Sequence, residues 1–177
     1  MHGKTVLELG AGVGLTGLTL INFCKVKMYY FVDYHSIVLK TLEENLRLNL
    51  LNSGSSKMWR EILFSNRLQF VKDNTEFTTK VEIVSLSWED INVHNAEQMK
   101  ANLAIAADIL YDKTCFETLT NALKTLLSTS VDYVILAATV RNESTILEFL
   151  KVLGTIPFQQ SINFVKIIKL LHILFYR

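Results

Sequence analysis

Residues 5–17, TVLELGAGVGLTG, decide the fold of this chain. Residues 5–9 are apolar except for one acid, which is typical of a short buried strand, and they run directly into a glycine-rich turn. The apolar segment that follows predicts a helix over residues 15–24. A strand, a glycine turn and a helix in immediate succession indicate a βα unit, from which parallel sheets are built.

The rest of the chain continues this alternation. We predict strands over residues 5–9, 27–33, 82–86, 103–107 and 133–138, and helices over residues 15–24, 36–50, 114–127 and 144–153. The alternation predicts right-handed crossovers and a doubly wound, mainly parallel α/β sheet in a single domain, residues 1–177. Residues 52–80 show a weaker pattern, which we interpret as an excursion within that domain. The tail after Gly154 fits either a helix or a strand.

Composition and charge restrict the classes of function. The 177 residues are 50% hydrophobic and 20% charged, so the chain can bury a sizeable core. A formal net charge of +1 leaves no positive excess for a nucleic-acid backbone, which disfavours a nucleic-acid partner. Cys24 and Cys115 form no metal-ligand cluster with the four histidines, and they favour a reducing compartment. Residues 164–176 are interrupted by lysines and are too short to span a membrane, so we predict no membrane segment.

The glycine turn and the end of the second strand are the first candidate site. Without side chains, Gly10, Gly12 and Gly14 let a ligand approach the backbone, and the helix N-terminus offers free N–H groups. Asp33 ends the second strand, where its carboxylate can accept hydrogen bonds from both hydroxyls of a ribose. Gly12, Gly14 and Gly17 also have the spacing of the G-x-G-x-x-G dinucleotide pattern. The turn therefore fits either S-adenosylmethionine or a nicotinamide dinucleotide. The alternative interpretation is purely structural: the glycines form a tight turn that binds no ligand, and Asp33 is a solvated acid at the end of a strand.

Glu8 and Trp88 are unusual for their positions. An acid inside an apolar strand is costly to bury without a partner, and we expect the ammonium of a cofactor to be that partner, directly or through the loop amides. Glu8 is therefore a candidate cofactor-binding residue. Trp88 follows the third predicted strand, where its ring can stack on an adenine or simply cover the core.

An acid and a phenol follow the fourth predicted strand. Asp108 and Tyr111 lie at the end that should face the substrate, and the small Ala107 before them permits close approach. Together they can hold a cationic amine by charge and by the face of the ring. A helix cap and a packed tyrosine are the alternative interpretation.

Four segments in this order resemble the seven-β-strand protein-lysine methyltransferases: residues 6–17, the strand end at Asp33, residues 86–88 and residues 107–111. Within that family, residues 105–111 and 138–142 are most similar to the members that methylate elongation factor 2. The similarity covers roughly residues 5–154.

The resemblance implies a Rossmann-like, seven-stranded sheet, here incomplete at both termini, and S-adenosylmethionine as the cofactor. The resemblance implies that the cofactor is bound by Gly10, Ala11, Gly12, Asp33, Trp88 and Ala107. We add Glu8 and Gly14 as candidate cofactor-binding residues because of their positions in the first strand and the glycine turn. It implies that Asp108 and Tyr111 face the target lysine, with no metal required. The expected product is a methylated lysine on elongation factor 2 in the cytoplasm, made by a monomer.

Two other functions stay open at this point. A nicotinamide-dependent oxidoreductase fits the glycine spacing but has no need for Glu8, Trp88 or the Asp-x-x-Tyr segment. Family members also carry a tryptophan-bearing lid before the first strand, and only four residues precede Thr5 here. We therefore expect the lid to be absent, which makes a non-catalytic interaction module the second alternative and weak activity the expectation for residues 1–177 alone.

Overall fold

The computed structural model describes residues 2–51, 59–64, 67–72, 78–155 and 166–170. Its strands are β1 (Thr5–Leu9), β2 (Met28–Asp33), β3 (Trp59–Phe64), β4 (Arg67–Lys72), β5 (Thr79–Ser85), β6 (Leu103–Ala107), β7 (Tyr133–Thr139) and β8 (Lys166–Leu170). Its α-helices are α1 (Leu15–Phe23), α2 (Ser36–Leu46), α3 (Val93–Met99), α4 (Phe116–Leu127) and α5 (Glu143–Thr155). A π-helical turn, Arg47–Leu51, extends α2, and a 3₁₀ turn, Lys113–Cys115, precedes α4.

These strands form one sheet in the order β3-β4-β5-β2-β1-β6-β7-β8. The strands from β5 to β8 in this order are parallel, and β3 and β4 form an antiparallel hairpin that pairs with β5. The chain moves outward from β1 to β2 and later returns to the other side of β1 with β6. The predicted doubly wound, mainly parallel sheet is therefore confirmed. Its winding reverses between β1 and β6, and sheets of this kind bind ligands at the carboxyl ends of the strands beside such a reversal.

Helices cover both faces of the sheet because its central strands are apolar on both faces. Leu7 and Leu9 of β1 pack with α3, α4 and α5, whereas Val6 packs with α1 and α2. Phe149 of α5 is fully buried on the first face and Leu42 of α2 on the second. Each such side chain stabilises the fold by about 1.5–3 kcal/mol relative to an exposed one, so the two helix layers hold the ends of the central strands in place.

Two features of the fold differ from the prediction. Part of the segment interpreted as an excursion forms the hairpin β3-β4, which brings the sheet to eight strands within the described residues. Trp59 of β3 is buried, and the Lys72 ammonium lies 5.7 Å from the centroid of its ring. The helix α3 was not predicted; Asn92 and Asn95 begin it with a capping box, each side chain accepting from the backbone N–H of the other.

The ambiguous tail is described only at β8, which pairs in parallel with β7. The loop expected over residues 52–56 and the rest of the tail lie outside the described residues. None of the helices in the described part of the chain combines the length and the apolar character that crossing a membrane requires.

Candidate active site

The glycine turn lies at the carboxyl end of β1 and is fixed to β2. Gly10, Gly12 and Gly14 have φ angles of 61°, 54° and 89°, in the left-handed region that favours glycine. The Ala11 N–H donates to the Val32 carbonyl at 3.0 Å, and the Gly14 N–H donates to the Ala11 carbonyl at 3.0 Å. These bonds hold the turn in one conformation beside the end of β2.

The three alternating glycines have different surroundings. A Cβ atom on Gly10 would lie 2.8 Å from Cγ2 of Ile109, and one on Gly14 would collide with Leu42, so packing closes both positions. At Gly12, no heavy atom of the described residues lies within 4 Å of the place that a Cβ would take. Gly12 is therefore the point where a ligand can approach the bare backbone of the turn.

Gly17, the last glycine of the dinucleotide pattern, is explained by packing. A Cβ atom there would collide with the rings of Phe31 and Tyr29, because α1 crosses closely over β2 at this point. The glycine is required for the contact between helix and strand whether or not a ligand binds, so its spacing says nothing about the kind of ligand.

Asp33 connects the glycine turn to the start of α2. Its Oδ2 accepts from the Gly12 N–H at 3.0 Å, and its Oδ1 accepts from the N–H groups of Tyr34 and His35 at 2.8 and 3.1 Å. A carboxylate has roughly four lone-pair positions, so Oδ2 can still accept from one hydroxyl of a ligand. A second hydroxyl would have to replace one of the N–H groups on Oδ1.

Glu8 has protein partners for its buried carboxylate. It is 2% exposed, and its carboxylate accepts from the Tyr29 hydroxyl at 2.8 Å and from the Thr16 side chain and the Gly17 N–H. Burial raises the pKa of Glu8 from 4.5 to about 7, although these three hydrogen bonds lower it. Because α1 and β2 supply the donors, Glu8 supports the turn from beneath, and any role toward a cofactor stays a prediction.

Trp88 and Ala107 follow or end two strands of the sheet, β5 and β6. Trp88 is half-buried and packs against the core on the face covered by α3, α4 and α5. Its Cζ2 would lie 3.5 Å from a Cβ on Gly10, so the ring reaches the glycine turn. Ala107 ends β6, beside Ala137 of β7. The tryptophan thus covers the core and also borders the space beside the turn.

Asp108 is held in an uncommon conformation and is paired with a cation of the protein itself. Its φ is 55°, and its N–H donates to the Ala137 carbonyl at 2.7 Å. Nη2 of Arg141 lies 2.6 Å from its Oδ2, and the Thr139 N–H donates to its Oδ1 at 3.3 Å. The predicted acid is therefore at the expected strand end, with Arg141 in contact where we expected only a substrate amine.

Tyr111 is an exposed ring close to the end of β2. Its side chain is 70% exposed. Partial burial raises its pKa, and the negative charge of Tyr34, Cys115, Asp33 and Asp112 adds to this effect. The phenol and Asp33 thus share one part of the edge, and Asp108 is turned toward the end of β7.

The structure brings most of the predicted site residues to one edge of the sheet, and Arg141 is the residue that sequence reasoning did not assign. The sequence could have indicated Arg141, because it lies soon after a predicted strand, at the same edge as Asp108.

A separate groove of about 1110 Å³ lies between α4 and α5, lined by residues that include Glu117 and Leu147. None of the predicted site residues lines that groove, and the polar groups converge at the glycine turn instead.

Comparisons with known proteins identify the family to which the sequence is similar. The sequence profile of the family described as lysine methyltransferase matches residues 1–66 and 60–155. The human protein-lysine N-methyltransferase EEF2KMT is 33% identical over 155 residues, which cover 85% of this chain and 42% of the human protein. The human putative protein N-methyltransferase FAM86B1 is 32% identical over 155 residues, with the same coverage of 85% and 42%.

A mouse relative gives the same result. The mouse protein-lysine N-methyltransferase EEF2KMT is 32% identical over 151 residues, which cover 80% of this chain and 39% of the mouse protein. The chain thus spans about two fifths of the length of the curated relatives that it matches.

Proposed function

The chain belongs to the lysine methyltransferase family, and we propose that it transfers a methyl group from S-adenosylmethionine to a lysine of elongation factor 2. The target rests on the resemblance and on the names of the relatives. We place the activity in the cytoplasm because the resemblance implies it there, and the free thiols of Cys24 and Cys115 fit a reducing compartment.

The open face of Gly12 is the observation that supports the cofactor most directly. It lies beside the Asp33 carboxylate at the reversal of the sheet, where a nucleoside can meet a bare backbone and a hydrogen-bond acceptor together. Ala11, Gly10 and Gly14 shape the turn. Trp88 and Ala107 are the proposed apolar walls, and Glu8 braces the turn from below. These residues fit the adenosine part of S-adenosylmethionine.

Bound S-adenosylmethionine would supply a methyl group that is attached to a positively charged sulfur. When the methyl group is transferred, the sulfur becomes part of a neutral thioether. The protein must therefore hold a neutral lysine amine in line with that group and keep water away. Asp108 can accept an N–H of the amine, and the exposed ring of Tyr111 can pack along the lysine stem. Neither residue has to form a covalent bond.

Labelled methyl transfer tests this function. We expect label from S-adenosylmethionine on a lysine of purified, unmodified elongation factor 2, and strongly reduced labelling with Asp108→Ala, which loses the acceptor for the amine. Adenosylhomocysteine affinity should stay within a few-fold. Asp132→Ala is the matched control, because Asp132 is also exposed and ion-paired, with Lys4 at 3.5 Å, at the opposite edge of the sheet.

The other outcomes separate the alternatives. Adenosylhomocysteine binding without transfer to elongation factor 2 or to any protein of a cell lysate would favour a non-catalytic module. Binding of NAD in place of adenosylhomocysteine would favour an oxidoreductase. Loss of cofactor binding in Asp108→Ala would move Asp108 from the substrate side to the cofactor side.

A further inference from the structure

The ion pair between Asp108 and Arg141 joins the ends of two neighbouring strands. Asp108 follows β6 and Arg141 follows β7, and the guanidinium Nη2 lies 2.6 Å from the carboxylate Oδ2. The Arg141 side chain is 67% exposed and that of Asp108 is 47% exposed, so the pair faces solvent at the edge where the substrate is expected.

The backbone of β7 already fixes Asp108 without Arg141. The Asp108 N–H donates to the Ala137 carbonyl at 2.7 Å, and Oδ1 accepts from the Thr139 N–H at 3.3 Å. Two of the roughly four lone-pair positions of the carboxylate are then occupied, one by Thr139 and one by Arg141. The carboxylate can keep both partners and still accept an N–H from an amine. What Arg141 adds is therefore mainly its charge.

That charge matters because this edge is otherwise rich in acids. Asp33 ends β2, and Asp112 follows β6 close to Tyr111. A lysine amine has an ordinary pKa of about 10.4, and an unneutralised carboxylate beside it would raise that pKa further. A lysine held as ammonium has no lone pair for methyl transfer. A carboxylate neutralised by a guanidinium accepts the N–H with less effect on the amine.

We propose that Arg141 is a positioning residue that acts through Asp108: its charge keeps the Asp108 carboxylate from further stabilising the ammonium form of the target lysine. The inference rests on the proposed function. The titratable groups whose charges act on the neighbouring Tyr111 are Asp33 at the end of β2, Tyr34 after it, and Asp112 and Cys115 after β6, and they are the same in every variant below.

The pH dependence of kcat with elongation factor 2 tests the proposal. Without the guanidinium, the bound lysine should lose its proton at a higher pH, so the rising limb for Arg141→Gln should move up by about one pH unit. Below that limb, a shift of this size lowers kcat by about tenfold. Arg141→Lys should restore most of the wild-type profile, because it restores the charge. High salt should reduce the shift, since the pair is exposed.

Two controls show whether Arg141 acts through Asp108. In an Asp108→Asn background, adding Arg141→Gln should move the profile no further, because the carboxylate that the guanidinium neutralises is gone. Arg47→Gln removes an arginine paired with Glu61 at 2.9 Å, away from the site, and should leave the profile unchanged. Thermal unfolding and adenosylhomocysteine affinity should match wild type in the Arg141 variants.

A measurement without turnover gives a second readout. Elongation factor 2 is titrated into the adenosylhomocysteine-bound protein by calorimetry in two buffers of different ionisation enthalpy, which counts the protons released on binding. In alkaline buffer near the ordinary lysine pKa of about 10.4, wild type should release more of the lysine proton on binding than Arg141→Gln does.

The outcomes distinguish this inference from the function beneath it. No transfer and no binding by wild type would overturn the proposed function, and the inference with it. A different outcome would overturn only the role of Arg141. In that case wild type transfers the methyl group, but wild type and Arg141→Gln have the same pH profile and release the same number of protons.

Discussion

Replacing Glu8 by glutamine should remove a loss of stability that the wild-type protein suffers as the pH rises from 4.5 to about 7. The carboxyl group is 2% exposed, and burial raises its pKa from 4.5 to about 7. Over this range the folded state binds more protons than the unfolded state does. The stabilisation is therefore fully present below pH 4.5 and is lost as the pH rises through about 7. Each pH unit corresponds to about 1.4 kcal/mol, so the wild type should lose about 3 kcal/mol.

Urea unfolding followed by tryptophan fluorescence at a series of pH values from about 4 to about 8 measures the effect. The free energy of unfolding of Glu8→Gln should lack this slope, because glutamine has no proton to lose. Glu61→Gln is the control: its pKa is lowered by the hydrogen bond from Arg47, so Glu61 stabilises the fold above its ordinary pKa and loses that effect as the pH falls. Parallel pH curves for wild type and Glu8→Gln would refute the claim that Glu8 is buried against Tyr29.

Two further substitutions test the packing around the glycine turn. Trp88→Ala should weaken adenosylhomocysteine binding by about 1–2 kcal/mol through lost stacking and apolar contact, measured by calorimetry; unchanged affinity would reduce Trp88 to a cover of the core. Gly17→Ala should lower the free energy of unfolding by about 1–3 kcal/mol, because its methyl group collides with the ring of Phe31. Gly154→Ala, where the described neighbours leave open space, should change stability little or raise it, and equal effects at both glycines would contradict the close crossing of α1 over β2.

The central strands could be predicted because they are buried on both faces. Residues 5–9 and 103–107 form β1 and β6 with the predicted bounds, since short, mainly apolar runs that end at a glycine or at a polar residue leave few alternatives. The hairpin β3-β4 extends the sheet at its edge, where β3 pairs with β4 alone, and its sequence lacks the continuous apolar run of a central strand. The helix α3 has seven residues, and it depends on the Asn92 cap as much as on periodicity.

The positions of the site residues followed from the strand ends, but their partners did not. Asp33 and Gly12 were predicted to share one ligand, and the structure joins them by a direct hydrogen bond of 3.0 Å. One partner of Glu8 is Tyr29, which lies on the next strand in the sheet. Arg141 meets Asp108 across 33 positions of sequence, because the register of β6 and β7 sets their ends side by side. Spacing along the chain does not reveal such contacts.

Calorimetric titration of adenosylhomocysteine into wild type, Gly12→Arg and Gly3→Arg tests the central claim most directly. Gly12 and Gly3 both have positive φ, 54° and 69°, and both face open space among the described residues, so the backbone strain of an arginine is matched. We predict that wild type and Gly3→Arg bind adenosylhomocysteine equally and that Gly12→Arg, still folded by thermal unfolding, does not bind it. Equal binding by a folded Gly12→Arg, or no binding by wild type, would contradict a cofactor site at the glycine turn.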